Sequence, residues 1–160
     1  MQRDVTKVSW DGERVLVRFE CIQLKGVDEF EFKCCDEPAP ELLSALNALR
    51  PHVADICDLP DGYCADLEIR GASFSYGGEG RVMGATITAL KKLATANAPL
   101  VLNTPHLASA PYNEDTDDGL LLPGEAVDAL RALQEQSLKY VDGQRMQTDL
   151  FAKPAAAQAS

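Results

Sequence analysis

Between Val8 and Cys21 the apolar residues fall at every second position on either side of an Asp11-Gly12 pair. Val8 and Trp10 precede the pair. Val15, Val17, Phe19 and Cys21 follow it, alternating with Leu16, Arg18, Glu20 and Ile22. Strand side chains point to opposite faces in turn, so this pattern predicts a hairpin with one buried face, and Asp-Gly supplies the turn. A third strand is expected next, with Phe30, Phe32 and Cys34 facing in and Glu29, Glu31 and Lys33 facing out. The period then changes. Leu42, Leu46, Leu49, Val53 and Ile56 recur at helical spacing behind Pro38 and Pro40, which suit a helix start. Pro51 removes a backbone donor and should kink or split that helix.

The same order recurs downstream. Leu67 and Ile69 open a strand, Gly71 marks a bulge, and Phe74 and Tyr76 continue it. Gly77 to Gly80 turn the chain into a strand from Arg81 to Leu90, and Ala98 to Thr104 supply another. A last helix opens near Gly124, carries Val127, Leu130, Leu133, Leu138 and Val141, and stops at Asp142-Gly143. Letters repeat as well: Ser9-Trp10, Gly12-Glu13 and Arg14-Val15 line up with Ser75-Tyr76, Gly78-Glu79 and Arg81-Val82. The expected fold class is α+β, mostly antiparallel sheet with two main helices. It divides into two βββα-like units at 5–58 and 66–142 within a single domain, 1–143. Two such units side by side resemble one domain of a processivity clamp in topology. Clamp helices that face DNA carry Lys and Arg, however, and the helices here carry few. Residues 144–160 end in AKPAAAQAS, without the bulky apolar groups that offset chain entropy, and are expected to form a flexible, disordered tail.

The balance of 25 acids against 15 Lys and Arg gives a net charge of −10. Phosphate binding draws on clustered cations, and the densest basic spot is Lys91-Lys92, so direct tight nucleic-acid binding is not expected. No stretch approaches membrane-spanning length. Five cysteines, an odd set with no secretory leader ahead of them, fit free thiols in a reducing cytoplasm.

Candidate chemistries are sparse, and the sequence names no catalytic residue and no cofactor. A Walker loop needs Lys and Ser or Thr after its glycines, whereas Arg81-Val82-Met83 follow Gly80. Counting from Glu114, Asp118 takes the fifth place of a calcium loop, Gly119 the sixth and Glu125 the twelfth. Glu114 and Thr116 sit where Asp or Asn is usual, so a solvated loop is the stronger reading. His52, Cys57, Cys64 and His106 match no common zinc spacing. Asp55, Asp58, Asp61, Asp66 and Glu68 read as helix-exit, turn and exposed strand positions rather than a nuclease cluster.

The sharpest signal is Gln147-Thr148-Asp149-Leu150-Phe151. It resembles the docking peptide of bacterial sliding-clamp partners: Gln, a variable residue, Ser or Asp, Leu, then Phe. The variable place is often Leu, and Thr148 departs from that. The resemblance implies that Leu150 and Phe151 anchor in a cleft on the clamp, with Gln147 and Asp149 fixing register. The wider stretch from Gly143 is similar to the tails of small phage and prophage proteins. That implies an accessory role in replication or recombination, in the host bacterial cytoplasm, with the bacterial sliding clamp as partner. Two other readings stay open: a small metal-dependent nucleic-acid enzyme, and an acidic interaction protein aimed at a host defence or regulatory factor.

Overall fold

The computed structural model describes residues 2–60, 62–78, 80–111 and 121–145. The first alternating block forms β1 (Gln2–Trp10) and β2 (Val15–Gln23), and β3 (Gly26–Cys34) follows. Asp11 closes the first turn through its side chain. Its Oδ1 accepts the N–H groups of Glu13 and Arg14, both at 2.8 Å, which holds the Asp11 carboxyl below its usual pKa. Pro51 splits the helical stretch as expected, into α1 (Pro40–Asn47) and α2 (Arg50–Ile56), and sits in the first turn of α2 where its missing N–H is harmless. A one-turn 3-10 helix at Cys64–Asp66 leads into β4 (Leu67–Gly77), then β5 (Val82–Lys91), β6 (Leu100–Asn103), β7 (Leu107–Ala108) and α3 (Gly124–Val141). None of these helices is long and apolar enough to cross a membrane.

The strands form one antiparallel sheet in the order β3-β2-β1-β4-β5-β6, with β7 on the same edge of β5 as β6. The first strand of each three lies at the centre, and β1 and β4 meet over Lys7–Ser73, Val8–Ala72 and Ser9–Gly71. Each central strand carries one extra residue relative to its hairpin partner, Thr6 on β1 and Arg70 on β4. Gly71 makes the close approach possible. A Cβ there would fall directly onto the Val8 carbonyl oxygen and 2.9 Å from Ser9 Cα.

One face of the sheet carries Val5, Val8, Val17, Ile69, Phe74 and Ile87, all buried in a continuous core with Leu42, Leu46, Val53, Leu130, Leu133 and Tyr140 of the helices. Each such side chain contributes roughly 1.5–3 kcal/mol on burial. The helices cross over. α1 and α2 meet the sheet chiefly at β4, whereas α3 meets it at β1 and β2, and α1 packs against α3.

Three sequence expectations need correction. Phe30 lies on the core side, stacked at 5.3 Å on its cross-strand neighbour Phe19, but it stays 48% exposed because β3 is an edge strand that the helices barely reach. The buried stripe of α3 runs through Ala126, Leu130, Leu133, Ser137 and Tyr140, leaving Val127, Leu138 and Val141 at its margin. Ser137 is buried at no cost in unmet bonding because its hydroxyl donates to the Leu133 carbonyl at 2.6 Å. Finally, the anchored chain runs past residue 143. Gln144 N–H donates to the Lys139 carbonyl, and Arg145 reaches Asp36 at 3.1 Å while lying over the rings of Phe32 and Tyr140.

Candidate functional site

The sequence-predicted docking residues Gln147, Asp149, Leu150 and Phe151 lie outside the described residues, as do Glu114 and Asp118. Glu125 stands exposed in the first turn of α3. Among the described residues no three His, Cys, Asp or Glu side chains gather where they could hold a metal ion. Asp66 and Glu68, read from the sequence as turn and exposed strand residues, pair with cations: Asp66 lies 3.9 Å from Lys91 Nζ, and Glu68 lies 3.7 Å from Arg70. Lys91 also stands 4.7 Å over the Tyr63 ring. Asp66, Glu68, Arg70 and Lys91 border a groove of about 900 Å³ that Lys92, Leu93 and Pro99 also line. Lys91 and Arg70 each already have a carboxylate, which weakens the groove as an anion site.

The sheet face turned away from the helices divides sharply. On β2 and β3 it carries Arg18, Glu31 and Lys33, joined by ion pairs of 2.6 and 3.6 Å. Arg18 holds the Glu31 carboxyl below its usual pKa. On β4 and β5 the corresponding positions are Ser73, Ser75, Thr86 and Thr88, with Thr88 Oγ1 donating to Asn103 Oδ1 at 2.7 Å.

His106 enters this hydroxyl face by a specific route. The chain leaves β6 at Thr104, whose N–H donates to the Ile87 carbonyl at 2.9 Å and whose hydroxyl accepts the Ile87 N–H at 2.8 Å. One residue thus satisfies both backbone groups of Ile87, and the strand ladder stops without leaving a buried donor. Pro105 follows, and β7 resumes the edge, with Ser109 N–H on the Met83 carbonyl at 2.7 Å. Between Thr104 and β7 the His106 ring folds over the outer face. Its Nε2 lies 2.7 Å from Ser75 Oγ and its Nδ1 lies 3.2 Å from Thr86 Oγ1. Gly84 forms the floor: a Cβ there would stand 2.6 Å from Nε2 and 3.1 Å from Ser75 Oγ. Both Ser75 and His106 are open to solvent.

His106 stands out in the sequence, but nothing near it in the chain pairs it with a hydroxyl. The available signal was the set Ser73, Ser75, Thr86 and Thr88 at outward positions of one hairpin, where mixed charges are ordinary. Sequence spacing alone could not bring a histidine onto it. Comparison with protein-family models, with curated proteins and with solved structures finds no match for this chain.

Proposed function

We propose that the chain is a phage-like accessory protein that docks on the bacterial sliding clamp through Gln147-Thr148-Asp149-Leu150-Phe151 and so modulates replication or recombination. The carrying observation is the motif itself, set two residues beyond an anchored point. Arg145 Nε donates to the Tyr140 carbonyl at 3.2 Å, its guanidinium reaches Asp36, and its backbone bridges to Pro38. A docking peptide needs a root that does not pull free, and these contacts supply one at the corner where β3 turns into α1. The net charge of −10 favours action through another protein over direct contact with phosphates.

The body is read here as two βββα-like units related by a local two-fold axis between β1 and β4. The mirrored strand order, the extra residue on each central strand and the crossed helices support that reading. Matching Thr6 to Arg70 pairs Trp10 with Phe74, two residues short of the Tyr76 that the repeated letters select. The letters and the bulges therefore give registers that differ by one pleat, and both keep the core face inward.

Fluorescence anisotropy of the labelled full chain against a purified bacterial clamp tests the docking. A dissociation constant near micromolar is expected, since two apolar anchors are offset by the ordering of a peptide. Leu150→Ala with Phe151→Ala should weaken it toward millimolar, Gln147→Ala should weaken it less, and Thr148→Leu should leave it equal or tighter. Equal binding by wild type and the double variant, or no binding by either, would overturn the proposal.

A further inference from the structure

We propose that Ser75 is a nucleophile activated by His106, and that the outer face of the β4–β5 hairpin accepts small acyl esters there. Both residues belong to the folded body and stand apart from the docking peptide.

The Ser75 Oγ to Nε2 distance of 2.7 Å is that of a working nucleophile and base, in which the imidazole must receive the hydroxyl proton. In the tautomer that carries the ring proton on Nδ1, Thr86 Oγ1 at 3.2 Å accepts that proton and the Nε2 lone pair faces Ser75. The ring is therefore oriented from its far side, as a base of this kind requires. The backbone is arranged around it. Thr104 ends the ladder so that the chain can lift over the sheet, and Gly84 leaves space for the ring at the one position beneath it. A solvent-exposed hydrogen bond contributes little to stability, so the fold itself has small need of this pair.

The chemistry balances without further reagents. Ser75 Oγ bonds to the acyl carbon as its proton passes to Nε2. The ester C–O bond breaks, and the imidazolium returns that proton to the departing alkoxide. Water then gives a proton to Nε2 and adds to the acyl carbon of the acyl-serine. The carboxylic acid leaves as Ser75 Oγ regains its proton. The pair supplies chiefly general-base catalysis, about 10²- to 10⁴-fold.

The test uses the full chain with an alkyl fluorophosphonate, read by intact mass and peptide mapping, and with p-nitrophenyl acetate turnover. The expected result is one adduct, on Ser75, absent in Ser75→Ala and slowed at least about a hundredfold in His106→Gln. Both residues are exposed, so both variants should keep the wild-type circular dichroism and melting point. Gly84→Ala, which displaces the ring and crowds Ser75 Oγ, should slow labelling. Labelling of another residue, labelling of Ser75 at the same rate in His106→Gln, or no adduct at all would overturn the proposal. So would acetate turnover that survives Ser75→Ala.

Discussion

The two three-stranded parts of the sheet, β1–β3 and β4–β6, differ least where they face the helices and most where they face away. Toward the helices both present apolar side chains at alternating positions, chiefly Val, Phe and Cys on the first part and Leu, Ile, Ala, Phe and Met on the second, and those side chains enter one core. Away from them, one part carries the Arg18, Glu31 and Lys33 ion pairs and the other a hydroxyl surface crossed by His106. A buried face is constrained by packing from both sides, whereas an open face answers only to water and to whatever binds there. Chemical divergence between similar scaffolds is therefore expected on the open side.

The largest expected effect falls at the seam between the two parts. Gly71→Ala drives a methyl group into the β1 backbone and should cost about 3 kcal/mol, or roughly 10 °C in melting temperature. Urea unfolding measures it, and a near-neutral result would show that the strands can slide apart there. Tyr76→Phe comes next. The Tyr76 hydroxyl donates to the Val5 carbonyl at 2.6 Å and accepts from Gln134 Nε2 at 2.8 Å, tying β4 to β1 and α3. Burial, with the Asp4 charge adding to it, raises the phenol above its ordinary pKa, so it stays neutral across the physiological range. Losing that hydroxyl strands two partners, for about 1–2 kcal/mol in the same unfolding measurement.

Smaller effects separate the two outer faces. Gly84→Ala should change stability by less than about 1 kcal/mol, because the displaced neighbour is an exposed side chain, yet it should move the His106 ring resonances in an NMR spectrum. Arg18→Gln on the opposite part should produce no resolvable change in melting temperature, since its ion pair is open to solvent. The Arg3–Asp142 pair, with bonds of 2.9 and 2.8 Å, holds the Asp142 carboxyl below its ordinary pKa. A depressed carboxyl contributes stability above its unfolded pKa that is lost as pH falls through the folded value. Acid titration of unfolding should therefore show a limb below about pH 4, shared with Asp11 and Glu31, that Asp142→Asn reduces.

Local patterns were legible in the sequence and non-local placements were not. The Asp11-Gly12 hairpin, the split at Pro51 and the stop at Gly143 each depend on a few adjacent residues, and each stands where the sequence put it. Phe30 was misjudged because alternation says which side a residue points to, not whether a helix reaches that far. The two-residue strand β7 has too few residues to carry a period, and it exists because Thr104 makes room for it. Ser75 and His106 meet across 31 positions of chain, through a crossover that no spacing rule encodes.

The crossed helices have a consequence for how the protein comes into being. α1 and α2 leave β3 only to lie on β4, and α3 leaves the second hairpin to lie on β1 and β2. Neither half of the polypeptide carries its own roof, so a ribosome that has released only the first half has made a bare sheet with its helix waiting for a strand still to be synthesised. Two separately expressed fragments, broken in the turn around Pro60, should each be unfolded and should recover structure only on mixing.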